Sequence, residues 1–318
     1  MKRLKIAVLM GGPSAERSVS LRSGAAVVNA LAATGAKVMP IDIQEPQFAM
    51  PSDVDVAFIA LHGTFGEDGT VQRMLEDGGI AYTGSGPDAS AAAFDKIAAK
   101  SRFELAAIPT PEYEIFDQAH CDLARLAGLG FPLVVKPARQ GSSVGVSIVQ
   151  EEVDLEEACQ IAWQYDNRLL AERYIRGREL TVGIFDGRAL PIVEIRPKHD
   201  FFTYEAKYTK GQTDYLVPAP LEKNIEAKAK GLALRAHDFL GCRDFSRVDL
   251  ILADNGKLVV LEVNTIPGFT ETSLVPKAAR VAGIEFKDLC ARLVQMALGR
   301  RALSPGTQPR ETETATVT

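Results

Sequence analysis

Asp249, Glu262, Asn264 and Arg247 fall within one stretch, FSRVDLILADNGKLVVLEVNTIPG, residues 245 to 268. Two strand-like runs flank Asn255-Gly256, the strongest short-range signal for a hairpin. A two-residue type I′ turn there would set Asp249 opposite Glu262 and Arg247 opposite Asn264. The period of two then points all four to the same face. Opposed Cβ atoms lie about 5 Å apart, so the two carboxylates would repel by about 3 kcal/mol at an effective dielectric near 20. Val248, Leu250, Val259 and Leu261 are apolar neighbours, so this is not obviously a solvated face. An exposed edge hairpin could carry the pair as idle charge. A divalent cation would use it, and hard oxygen ligands beside an amide suit Mg²⁺, which is commonly shared between carboxylates and substrate phosphates.

A second stretch, KPARQGSSVG at residues 136–145, supplies a place for phosphate. Glycine permits positive φ and close backbone approach, and exposed amides in such a loop can cradle an anion. The order differs from the Walker pattern GxxxxGK[ST], because Lys136 precedes the glycines and ends the apolar run FPLVV.

The elements that must position these groups fall into three blocks. Residues 1 to about 96 alternate strand and helix: KIAVLM as a fully buried strand, a helix with Gly24, Val27, Val28 and Leu31 at its spacing, strands KVMPIDI and VDVAFIA, and the helix TVQRMLEDGG. That alternation predicts a parallel, doubly wound sheet. A long helix from about 88 to 107 follows, and then a small α+β unit to about 180 that contains Lys136 and its loop. From Glu179 the chain reads mainly as strand, with a hairpin turn at Asp186-Gly187 and a polar loop of some 25 residues, RPKHDFFTYEAKYTKGQTDYLVPAP, of a length that often marks a lid. The expected divisions are 1–96, 97–180, 181–303 and a disordered tail, 304–318, whose composition is polar.

Composition excludes several classes. The 318 residues carry 36 basic and 41 acidic side chains, a net charge of −5, which argues against a nucleic-acid surface. No apolar run approaches the roughly 20 residues of a membrane helix, and Gly11-Gly12 cuts short the only signal-like segment. Cys121, Cys159, Cys242 and Cys290 show no CxxC spacing, as expected for reduced thiols in a cytoplasmic protein. GSGPDA, residues 84–89, has the GxGxxA form of a dinucleotide fingerprint, but Glu104, at the required distance, falls inside the expected helix.

Seven segments occur together and in order: LMGGPSAERSVSLRSG, ALHGTFGEDGTVQRMLE, YTGSGPDASAAAFDK, VVKPARQGSSVGV, YEAKYTKGQTDY, RVDLIL and LEVNTIPGFTETSLVP. Through them the chain resembles the ATP-grasp ligases, and within these the D-alanine–D-alanine ligase family, from about Lys5 to Leu298. The resemblance implies an N-terminal doubly wound domain followed by a two-part ATP-grasp fold whose two antiparallel sheets grip ATP. It implies an ATP-dependent ligation of two D-alanines through an acyl phosphate for peptidoglycan synthesis, two Mg²⁺ or Mn²⁺ ions, and a homodimer.

Position by position, the resemblance implies that Lys96, Lys136 and Lys207 meet the ATP phosphates. Ser142 and Ser143 would lie over them, Glu172 would meet adenine and Glu179 the ribose. Asp249, Glu262 and Asn264 would hold the metal ions. Glu16 and His62 would secure the first D-alanine, and Ser273 with the Leu274 backbone the second. Arg247 and the Gly268 amide would stabilise the oxyanion, while Tyr208 would hydrogen-bond toward Ser142 and Glu16. By residue type alone, His62 reads as a structural or surface histidine and Lys96 as a solvated helix lysine.

Overall fold

The computed structural model describes Met1, residues 4–197 and residues 213–303. Lys207, Tyr208 and the tail from Ser304 lie outside the described residues.

The first sheet has the order β2-β1-β3-β4, all parallel, from β1 (Lys5–Gly11), β2 (Lys37–Ile43), β3 (Val56–Ile59) and β4 (Ala81–Tyr82). Ile6, Ala7, Val8 and Leu9 are all fully buried because both faces are covered, which explains the unbroken apolar run. Ile6, Val8, Val56 and Phe58 pack with Val27 and Leu31 of α1 (Arg17–Ala32) and with Leu289, Leu293 and Val294 near the chain's other end. Ala7, Leu9, Ala57 and Ile59 pack with Val71 and Leu75 of α2 (Thr70–Asp77). Gly24 lets α1 lie close on β1, where a Cβ would collide with Met10.

The long helix expected over 88–107 is two helices, α3 (Pro87–Phe94) and α4 (Lys96–Leu105). Asp95 breaks them apart: its backbone is extended and its carboxylate accepts from the amides of Ile97 and Ala98, capping α4. The break makes Lys96 the first residue of a helix.

The central unit is an antiparallel sheet of order β5-β8-β6-β7, from β5 (Tyr113–Asp117), β6 (Leu133–Pro137), β7 (Ser147–Val149) and β8 (Arg168–Arg173). Helices α5 (Leu123–Ala127) and α6 (Leu155–Trp163) cover the face that carries Leu133, Val135, Leu169 and Ala171. The period of two therefore sends Lys136 and Glu172 to the opposite face.

The third sheet runs β12-β11-β9-β13-β14, with β10 beside β9, all antiparallel. Its strands are β9 (Gly177–Phe185), β10 (Arg188–Ala189), β11 (Val193–Pro197), β12 (Thr213–Leu216), β13 (Phe245–Ala253) and β14 (Leu258–Asn264). Asp186 and Gly187 both have positive φ, as the type I′ turn requires. Part of the expected 25-residue loop is strand, because Thr213–Leu216 pairs with Glu194–Pro197. Leu180, Val182, Val248, Leu250 and Val263 bury against α7 (Lys223–Phe239), leaving Glu179, Thr181, Arg247 and Asp249 on the other face. Helices α8 (Leu274–Val281) and α9 (Phe286–Leu303) follow. Among the described residues, no helix is long and apolar enough to cross a membrane.

The Asn255-Gly256 turn differs from expectation. Ala253 N–H donates to the Lys257 carbonyl at 2.8 Å, so three residues form the loop, and of the two only Gly256 has positive φ. Near the turn Leu250 pairs with Val260, one position off the two-residue register. A bulge between Asp249 and Leu250 then removes the offset, and Asp249 faces Glu262 with Arg247 opposite Asn264. The expected pairing exists, produced by two offsets that cancel.

Candidate active site

The cleft-facing sides of the second and third sheets enclose a cavity of about 600 Å³, within the range of small-molecule sites. Lys96, Lys136, Ser142, Ser143, Glu172, Glu179, Asp249 and Glu262 line it. A second cavity, of about 370 Å³, is lined by Glu16, His62, Arg247, Asn264, Gly268, Ser273 and Leu274. Lys96, Gly141, Ser142, Asp249 and Glu262 line both. The two form one cleft, with the glycine loop between its halves. Every expected site residue within the described regions lines this cleft.

Lys136 and Glu172 lie diagonally across adjacent strands on the cleft face, and their charged atoms meet at 2.7 Å. Lys100, which the sequence did not single out, reaches the same Glu172 oxygen at 3.0 Å from α4. Burial works to raise the Glu172 carboxyl, but the two ammonium groups outweigh it and hold it below its ordinary value. Lys96 is no solvated helix lysine. It is 9% exposed, donates to the Gln140 carbonyl of the glycine loop and lies 3.7 Å from Glu262. Burial lowers its pKa, with Glu262 opposing.

Ser142 and Ser143 hold positive φ of 51° and 60°, uncommon for residues other than glycine and a mark of a constrained loop. Ser142 Oγ donates to Glu16, which joins the loop to the start of α1. His62 is buried, its Nδ1 lying 2.9 Å from the Ile266 carbonyl and its Nε2 3.0 Å from Ser23 Oγ. A carbonyl can only accept, so Nδ1 carries a proton. Ser23 Oγ also accepts from the Phe269 amide at 3.1 Å, tying α1 to the segment that contains Gly268. Ser273 and Leu274 open α8, whose N-terminal amides favour an anion.

Arg247 grips Asp249 through two nitrogens, at 2.9 and 2.7 Å, and Thr181 Oγ1 donates to Asp249 at 2.6 Å. Burial tends to lower the Arg247 pKa, but Asp249 and then Glu262 overcome this and raise it. Among the described residues, no three His, Cys, Asp or Glu come together as a metal cluster. Asp249, Glu262 and Asn264 nevertheless offer two carboxylates and an amide on one cleft-facing surface. That donor set fits hard cations that draw further oxygens from phosphate and water.

The GSGPDA segment is committed elsewhere. The Gly84 amide donates to Asp244 at 2.9 Å, its carbonyl accepts from Arg243 at 2.9 Å, and Glu104 lies in α4. These contacts join the first sheet to the third, which disfavours a pyrophosphate there.

Comparison with known proteins agrees along the chain. Residues 103–295 match the family model for the D-ala D-ala ligase C-terminus, and residues 5–50 and 46–85 that for the D-ala D-ala ligase N-terminus. The chain is similar to the D-alanine–D-alanine ligase of Methylacidiphilum infernorum, 46% identical over 293 residues that cover 92% of this chain and 94% of that protein. It is 48% identical over 304 residues to the Desulforudis audaxviator ligase of the same name, covering 93% and 99%. The crystal structure of D-alanine–D-alanine ligase from Bacillus anthracis complexed with ATP superposes with a TM-score of 0.85 at 35% identity, covering 94% and 99%. The structure of the D-alanine–D-alanine ligase from Coxiella burnetii gives 0.84 at 25% identity, covering 95% and 96%.

Proposed function

The chain belongs to the D-ala D-ala ligase family and is an ATP-dependent ligase that joins two D-alanine molecules; we propose that it does so in the two-part cleft, with ATP between the second and third sheets. The observation that carries this reading is the sharing of Lys96, Ser142, Asp249 and Glu262 by both halves of the cleft. A γ-phosphate held at that junction adjoins a substrate in the other half.

Lys96 and Lys136 neutralise the phosphates, Ser142 and Ser143 cover them, Glu172 faces adenine and Glu179 the ribose. Glu16 and His62 orient the first D-alanine. The N-terminus of α8, at Ser273 and Leu274, takes the carboxylate of the second. The first carboxylate attacks the γ-phosphorus, ADP leaves and an acyl phosphate forms. The amine of the second D-alanine then attacks the carbonyl carbon, losing a proton. The C–N bond forms, the C–O bond to phosphorus breaks, and inorganic phosphate departs. Arg247 and the Gly268 amide face the oxygen that becomes negative in between. Asp249, Glu262 and Asn264 would hold two Mg²⁺ or Mn²⁺ ions, whose charge neutralises the transferring phosphoryl group when bound. Positioning and charge neutralisation dominate, and no protein nucleophile is needed. We extend the reading to a homodimer acting in the cytoplasm, with Lys207 and Tyr208 completing the site.

Phosphate release with ATP, Mg²⁺ and D-alanine tests the reading, with L-alanine and D-lactate as controls. Release with D-alanine and dipeptide as product are expected. Tight ATP binding without release would instead favour a nucleotide-binding regulator on this fold.

A further inference from the structure

Glu172 carries more positive charge than it needs. Lys136 Nζ lies 2.7 Å and Lys100 Nζ 3.0 Å from the same Oε1. The two lysines differ in access. Lys136 lines the cleft, whereas Lys100 lines neither half of it and its side chain is 1% exposed. Behind Glu172, Lys100 Nζ also donates to Thr110 Oγ1 at 2.6 Å and to the Pro111 carbonyl at 3.4 Å, and stands 5.0 Å from the Tyr113 ring centre. Enclosed in this way, Lys100 cannot reach a ligand itself.

Burying a second ammonium beside one carboxylate is unfavourable, and burial pushes the Lys100 pKa down to about 8. The arrangement makes sense if the first ammonium is sometimes elsewhere. When phosphates occupy the cleft, Lys136 has a second anion to serve. Withdrawing it from a carboxylate that is 2% exposed would strand a buried charge unless another cation stays behind.

We propose that Lys100 is a positioning residue for nucleotide binding, the standing counterion of Glu172 that frees Lys136 to turn from the carboxylate to the phosphates of ATP. The proposal rests on the reading above that Lys136 meets those phosphates. It separates two lysines that touch the same oxygen: one exchanges partners and the other does not. A purely structural Lys100 would instead serve only to pin Thr110 and Pro111 to α4.

The test is calorimetric titration of folded protein with Mg·ADP and a non-hydrolysable ATP analogue, alongside kinetics. Lys100→Met should weaken nucleotide binding by about tenfold or more, as expected for loss of one charged contact, while KM for D-alanine changes less than about twofold. In a Glu172→Gln background, with no buried carboxylate left to neutralise, the same substitution should alter nucleotide affinity by less than about twofold. If Lys100→Met fails to fold, Lys100→Gln keeps a donor for Thr110 and removes the charge. Folded Lys100 variants that bind nucleotide like the wild type overturn the proposal. So do variants that raise both KM values alike, or whose losses add fully to that of Glu172→Gln. Titration needs no turnover, so an inactive wild type would overturn the ligase reading and leave this measurement standing.

Discussion

Asp249 stands directly across from Glu262 in the ladder of β13 and β14, and each carboxylate has a cation of the protein beside it. Arg247 meets Asp249 at 2.7 Å, and Lys96 lies 3.7 Å from Glu262. Their mutual repulsion is thereby offset without metal. A divalent ion bound there as proposed would have to compete with Arg247 and Lys96, and its phosphate partner could take over those two cations in exchange.

Removing the charge of Glu262 with Glu262→Gln should lower turnover by about a hundredfold or more at ordinary Mg²⁺. The thermal midpoint should stay close to that of the wild type, because relief of the repulsion with Asp249 offsets the loss of the Lys96 ion pair. Turnover like the wild type with an unchanged Mg²⁺ dependence would remove Glu262 from the proposed metal site.

The glycine loop should tighten when both halves of the cleft fill. Ser142 and Ser143 already hold positive φ, and Ser142 reaches Glu16 at the start of α1. Hydrogen exchange at residues 141–145 should slow when ATP, Mg²⁺ and a phosphinate mimic of the tetrahedral intermediate are added. Equal rates with and without these ligands would show that the loop is not a lid.

Ser23→Ala should act on the amino-acid half of the cleft. It leaves the buried Phe269 amide and His62 Nε2 without the hydroxyl between them. A stability loss of about 1–3 kcal/mol is expected, with KM for D-alanine rising more than KM for ATP. Denaturant titration and steady-state kinetics check the two parts. An equal rise in both KM values would mean that Ser23 matters only to folding.

Lys100 gives stability a signed pH dependence. Its pKa falls to about 8 from an ordinary 10.5, so between these values the native chain has released a proton that the unfolded chain retains. Its contribution therefore rises with pH across that window. The thiols of Cys159, Cys242 and Cys290, raised by burial, act in the opposite direction above pH 9. The useful quantity is the stability of the wild type minus that of Lys100→Met, which should increase by at most about 1.4 kcal/mol per pH unit. A difference that stays flat from pH 8 to 10 would mean that Lys100 keeps its proton there.

The opposition of Asp249 and Glu262 was legible because alternation along strands is a local property and Asn-Gly marks a turn. The route to it was not, since Asn-Gly suits both a two-residue turn and a three-residue loop with a glycine in the left-handed region. Nothing local to β14 announces the bulge that restores the register. Helical spacing runs straight through Asp95, and only its capping ability hints at the break that gives Lys96 its place. Thr213–Leu216 is too short and polar to read as strand, and its partner β11 makes it one. Lys100 looks like one more helix lysine until β8 brings Glu172, distant in sequence, against it.

One face of the first sheet takes part of its cover from the far end of the chain. Leu289, Leu293 and Val294 of α9 close the face formed by Ile6, Val8, Val56 and Phe58, and Arg300 of the same helix reaches the Tyr82 carbonyl at 2.8 Å. A ribosome delivers β1 to β4 long before α9. In the nascent chain that apolar face is therefore only partly covered, by α1, while the central and third sheets are being made, and it closes when α9 emerges. The sheet made before the other two is completed after them.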